Sequence, residues 1–191
     1  MASRAPDWDR LFETASVQAG QFTTRQAAEA GYSDQLLVHH VRAGRFLRVR
    51  RGIYRLLHFP PQEHEDLVTV WLWSDRQGTL SHETALSLHG LSDVLPATVQ
   101  LTLPTAWERR RLRIPEGVRV HYAVVSSGER SWLGPVPVTT PARALNECAR
   151  AGSSPELLRQ GAQQALQRGL VTQSELADVE AALEPYGGLA A

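Results

Sequence analysis

Six arginines, Arg42, Arg45, Arg48, Arg50, Arg51 and Arg55, fall within residues 36–60, a stretch without aspartate or glutamate. Charges this dense repel one another unless an anion lies among them, and a guanidinium matches phosphate with paired donors. Overlapping them, Gln35, His39 and Arg42 recur at spacings of four and three. On a helix that spacing puts an amide, an imidazole and a guanidinium on one side. Such groups read base edges in a major groove, where arginine suits guanine and glutamine suits adenine. The pattern predicts contact with duplex DNA, with bases read by Gln35, His39 and Arg42. Phosphates would be held by Arg45, Arg48, Arg50, Arg51 and Arg55. Five such contacts imply a slope of log K against log salt of roughly −4 to −5. Thr24, Arg25 and Gln26 open a preceding short helix. They either meet a phosphate at its amide terminus or serve as ordinary caps. Tyr54 either touches the sugar–phosphate backbone or packs beneath the strands.

Other candidate chemistry is sparse. His82-Glu83 and His89 suggest a metal, but one-ion pairs on a helix need a spacing of four, and seven residues separate these two by some 10 Å. Helix capping and packing against a strand are the expected roles. All 20 basic residues are arginine, so any mechanism that needs a lysine is excluded, paired-acid nucleases with a catalytic lysine among them. The single cysteine, Cys148, lies between Leu145 and Ala149 on a helical pattern and reads as a small buried hydrophobe. Arg109-Arg110-Arg111, with Arg113 and beside Trp107, is a second basic run. It is a solvated face, a second DNA contact, or a surface for an acidic partner or RNA. No catalytic residue, metal or cofactor is expected, and the chain is not read as an enzyme.

The elements that must position these groups follow from periodicity. Trp8, Leu11, Phe12, Ala15 and Ala19 share one helical face over residues 7–19. Thr23 and Gln26 form a capping box for a short helix over 24–30, and Ser33 caps a third over 34–43. Residues 46–50 and 53–57 are β-forming runs around Arg51-Gly52, which predicts a hairpin. Three helices and a basic hairpin give a winged helix-turn-helix for residues 1–59. Phe59-Pro60-Pro61 reads as a linker. Residues 62–184 read as a small mixed α/β domain with a helical C-terminus, and 185–191 as a flexible tail. In that second part, helices are expected at 63–74, after a Ser81 cap through His89, at 141–151, at 155–168 and at 172–183. Strands are expected at 99–103, 118–125 and 136–138. The fold class is thus α/β (α+β).

The totals set the frame. A 191-residue chain can bury a core without disulfides or metals. Formal net charge is zero, but residues 153–191 carry two arginines against five carboxylates, so the front is basic and the rear acidic. No apolar run reaches membrane-spanning length, and the polar start is unlike a signal peptide. One cysteine and no secretory signal predict a reducing cytoplasm.

Three segments together resemble the AbiEi family, the antitoxin and transcriptional-regulator component of type IV toxin–antitoxin systems. They are Gln21-Phe22-Thr23-Thr24-Arg25-Gln26-Ala27 with Gly44–Tyr54, Leu80–Leu91, and Val136–Leu145. The resemblance implies a repressor that binds inverted repeats in its own promoter. It also implies a rear domain with antitoxin activity and a nucleotidyltransferase-like toxin countered without a stable complex. Two alternatives stay open: a module that binds its partner protein directly, and a regulator with no toxin.

Overall fold

The computed structural model describes residues 5–91, 93 and 96–189. It is mixed α/β, with eight α-helices and two sheets among the described residues. The chain divides into two compact units, Met1–Arg76 and Gln77–Ala191.

The first unit begins with α1 (Trp8–Ser16), capped by Asp7, whose carboxylate accepts from the Arg10 amide. A short strand, β1 (Gln21–Thr23), follows, too brief for its three residues to carry a period. Thr23 then caps α2 (Thr24–Glu29) through the predicted box, and Ser33 caps α3 (Asp34–Arg42) by accepting from the Leu36 amide. The hairpin forms as β2 (Phe46–Arg50) and β3 (Ile53–Leu56), with β3 central in a β1-β3-β2 antiparallel sheet. Gly52 turns the hairpin at φ +78°, a left-handed conformation that a side chain would strain. Its carbonyl accepts the Thr24 amide at 2.9 Å, which ties the hairpin tip to the start of α2. Leu11, Ala15, Phe22, Leu37, Phe46, Tyr54 and Leu56 make one core from all these elements.

The predicted linker is not where the units divide. Phe59 sits on Gly20, where an added Cβ would come within 2.5 Å of the ring. Helix α4 (Glu65–Trp73) also belongs to the first unit. Gln21 Nε2 donates to the Glu65 carbonyl at 2.7 Å, and Thr69 Oγ1 donates to Gln21 Oε1 at 2.8 Å. Two prolines suggested a break, but buried Gln21 needs partners and finds them on α4.

The second unit is a five-stranded mixed sheet in the order β6-β5-β4-β8-β7: β4 (Thr79–Leu80), β5 (Val99–Leu103), β6 (Val118–Tyr122), β7 (Arg130–Leu133) and β8 (Val136–Thr139). Strand β4 pairs antiparallel with β5 and parallel with β8. Helix α5 (His82–Leu88) packs on β5 and β8, and α6 (Pro141–Arg150) packs on α5. Helices α7 (Pro155–Gln167) and α8 (Ala177–Leu183) pack on α6. Strands β4 and β7 were not foreseen, being two and four residues long without a clean alternation. The expected helix over 172–183 is a 3-10 turn at Gln173–Glu175 followed by α8, because Thr172 and Glu175 close their own capping box. The tail is held, as far as it is described: Arg159 donates to the carbonyls of Tyr186 and Gly188, and Gln163 to that of Leu189. Residues 190 and 191 of the expected flexible tail lie outside the described residues. No described helix is long and apolar enough to cross a membrane.

Candidate nucleic-acid interface

Helix α3 buries Leu37 completely and leaves Gln35, Val38, His39 and Arg42 exposed. Its outward side is the polar one that the spacing predicted. Beyond its end, Arg45, Arg48 and Arg51 are exposed and Arg50 is half-buried. Among the described residues none of Arg42, Arg45, Arg48, Arg50 and Arg51 is ion-paired to a carboxylate. The register slips by one residue between Arg48 and Arg50, a bulge that leaves the second half of β2 out of simple alternation. Simple alternation would put Arg48 and Arg50, two residues apart, on one face; the bulge between them breaks that alternation.

Arg55 does not belong with this group. Its side chain is only 12 % exposed and its Nη2 lies 2.8 Å from Glu65 Oε1. The same guanidinium donates to the carbonyls of Phe59 and Leu56. A cation so buried and paired locks the chain after β3 and is not presented to a phosphate. The pairing was invisible in the sequence because Glu65 lay beyond the apparent linker.

The second-helix candidates separate in the same way. Gln26 is buried: its Oε1 accepts the Thr23 amide at 2.9 Å, and its Nε2 donates to Gln18 Oε1 at 2.9 Å. Gln18 Nε2 returns a longer bond of 3.3 Å to Gln26 Oε1. The Thr24 amide is taken by Gly52 and the Gln26 amide by Thr23 Oγ1, so two of the first three amides of α2 are engaged internally. Arg25 is exposed but pairs with Asp75 at 3.1 Å and, more loosely, with Glu29 at 3.8 Å. Tyr54 is buried and stacks on Phe22, ring centroids 5.9 Å apart, so of its two readings the structure takes packing. Gln26→Ala is expected to destabilise the first unit by about 1–3 kcal/mol, since Gln18 and the Thr23 amide lose a buried partner. Chemical denaturation reads this, and the salt slope of DNA binding should not change.

Next to this surface His40 is wedged between Tyr32 and Phe46, and burial, with the Arg45 and His39 charges, pulls its pKa below the ordinary histidine range. It therefore stays neutral and adds no charge. Its neighbour His39 is the exposed one of the pair.

A second concentration of polar groups lies in the carboxy-terminal unit, around a cavity of about 530 Å³ lined by His82, Thr102, His121, Arg143, Glu147 and Arg150 among others. Ser81 was expected to cap α5. Instead its Oγ accepts from Thr102 Oγ1 at 2.8 Å and lies 2.9 Å from His82 Nδ1. His82 takes a left-handed φ of +53° and stacks on His121, ring centroids 3.7 Å apart and planes 19° from parallel. Glu147, 3 % exposed, accepts from Arg143 Nε at 2.8 Å and from Thr139 Oγ1 at 3.3 Å. Arg143 reaches on to Glu129 at 2.6 Å. Stacked imidazoles cannot both aim a nitrogen at one ion. Among the described residues no group of three or more His, Cys, Asp or Glu side chains is placed to hold a metal. His89 donates to the Thr139 carbonyl at 2.8 Å and so packs against β8. Cys148 is fully buried, and burial pushes its thiol up to about 12. Arg109, Arg110, Arg111 and Arg113 are all exposed, and the Arg110 guanidinium lies 4.2 Å over the Trp107 ring.

Residues 9–57 match the family described as transcriptional regulator, AbiEi antitoxin. No curated protein matches the chain. The matched segment runs from the second residue of α1 to the end of the hairpin, and holds the exposed face of α3 with Arg42, Arg45, Arg48, Arg50 and Arg51.

Proposed function

We propose, because residues 9–57 match the AbiEi antitoxin and transcriptional-regulator family, that the first unit is a winged helix-turn-helix that binds duplex DNA at a specific site and represses transcription there. In this reading α3 enters the major groove, with Gln35, His39 and Arg42 against base edges, and α2 braces it across the backbone. Arg45 and the hairpin arginines Arg48, Arg50 and Arg51 hold phosphates. The observation that carries the reading is the exposed amide–imidazole–guanidinium face of α3 continuing into arginines that meet no carboxylate among the described residues. The finer parts go further: inverted repeats in the protein's own promoter, and an antitoxin role against a nucleotidyltransferase-like toxin. They are supported by family likeness alone.

Footprinting on the DNA upstream of the gene, set against unrelated DNA of the same length, tests the reading. A protected, symmetric site is the expected result; equal affinity for both DNAs would end it. Arg42→Ala, on the same upstream DNA, is expected to lose about 1–3 kcal/mol of discrimination between the site and a base-substituted version. Its salt slope should stay close to that of the unaltered protein, because a base contact releases no phosphate counter-ion.

A further inference from the structure

Three of the first unit's exposed large hydrophobics, Trp8 at 48 %, Phe12 at 44 % and Leu57 at 41 %, surround one concavity. Exposed apolar side chains scattered singly need no explanation, whereas several around one hollow do. The hollow lies between α1 and the chain leaving β3, with Phe59 and Pro60 completing the walls and Arg45 at its edge. Its volume of about 480 Å³ falls in the range of small-molecule sites. The walls are preformed. Trp8 is stacked over Phe46 with planes 7° apart, and Phe59 is seated against Gly20, which has no Cβ to obstruct it. The polar side of the site is cationic through Arg45, with His58 beside it.

We propose that this groove binds a small amphipathic carboxylate, with an aromatic or aliphatic body against Trp8, Phe12 and Leu57 and its charged head on Arg45. An apolar hollow beside a guanidinium that meets no carboxylate among the described residues fits that chemistry on both counts. A second copy of the chain fits less well. A two-fold interface must be self-complementary, and the apolar groups this face presents, Trp8, Phe12 and Leu57, are the walls of the hollow rather than a knob to fill it. A consequence follows that rests on the DNA reading above: a carboxylate that engages Arg45 takes it from a phosphate, so occupation of the groove weakens DNA binding.

The test uses the full chain without DNA, titrated calorimetrically with 2-naphthoate and with its neutral analogue 2-naphthamide. The acid should bind about tenfold more tightly than the amide, the difference made by one charge-assisted bond. Arg45→Gln should erase that difference. Phe12→Asp, at an exposed position with folding checked by circular dichroism, should weaken both ligands. Equal binding of acid and amide, or affinities indifferent to both substitutions, overturns the site. Sedimentation as a dimer that Phe12→Asp dissociates assigns the groove to a second copy and overturns it too. In the second arm, naphthoate should weaken DNA binding by the unaltered protein and not by Arg45→Gln. Unchanged DNA affinity under saturating naphthoate overturns the coupling. Failure to bind DNA at all counts against the DNA reading, while the calorimetric arm still decides the site.

Discussion

Arg48→Gln, Arg50→Gln and Arg51→Gln together should take the salt slope of DNA binding from about −3.6 to about −0.9, at 0.9 per phosphate contact. The first figure counts four contacts, through Arg45, Arg48, Arg50 and Arg51, and the second leaves Arg45 alone. Over a rise from 50 to 200 mM salt the unaltered protein then loses affinity by about 150-fold and the variant by about threefold. The effect is large because these side chains meet no carboxylate on the protein among the described residues, so no internal pair is broken when they are replaced. Two of the three are exposed, and glutamine keeps the stem and a hydrogen-bonding head, so the fold should be retained. Arg55→Gln is the informative contrast. It leaves the Glu65 carboxylate without its cation and the Phe59 carbonyl without a donor, and should destabilise the first unit. The salt slope of whatever remains folded should not move. A slope near −4 in the triple variant would mean that the hairpin arginines do not meet phosphate.

How far the sequence already held this surface depends on the range over which each interaction acts. The capping box at Thr23 and Gln26, the cap at Ser33 and the turn at Gly52 are settled within four residues, and all were legible. So was the polar face of α3, because one buried leucine and a period of 3.6 fix it. The candidate site residues that are engaged within the protein share a cause of the opposite kind. Arg55 is neutralised by a residue ten positions on, and Gln26 is buried by an amide eight positions back. Tyr54 is buried by packing across the unit. Nothing in their local spacing distinguishes a glutamine that caps and packs from one that reaches out. Strand β1 was missed because its three residues are strand only through their pairing with β3. In the second unit Ser81 looked like a cap, and only the approach of Thr102 from β5 shows why its hydroxyl turns inward.

The second unit should be acid-labile well above the pH at which carboxylates protonate, and His82 is the reason. The residue is 8 % exposed, and burial is the main force holding its pKa far below the ordinary 6.5, at about 3. The neighbouring His121 and the charges of Arg150, Arg143 and Arg119 push the same way. Glu147, 3.8 Å from Nδ1, pulls the other way. Its oxygens already accept from Arg143 and Thr139, so it has little to offer an imidazolium. The sign follows. Unfolded His82 takes up a proton near pH 6.5 and the folded residue does not, so acid favours the unfolded state. The stability is complete above about pH 6.5 and drains as pH falls toward 3. Between pH 6.5 and 5 it amounts to about 2 kcal/mol, or roughly 5–10 °C in Tm. His89 and His121 are lowered by burial too, so they add in the same direction. Glu129, held down at about 2 mainly by the Ser126 amide and hydroxyl, gives up its contribution only below the ordinary carboxylate range, outside this window. His82→Asn isolates the effect. Asparagine tolerates the left-handed φ of +53° and can still meet Ser81, but it does not titrate. Thermal unfolding of the full chain at pH 7 and pH 5 should show a clearly smaller drop for His82→Asn than for the unaltered protein. Equal drops would mean that the stacked imidazoles are reached by protons without unfolding, and that the polar cavity beside them is open to water and ions in the native state.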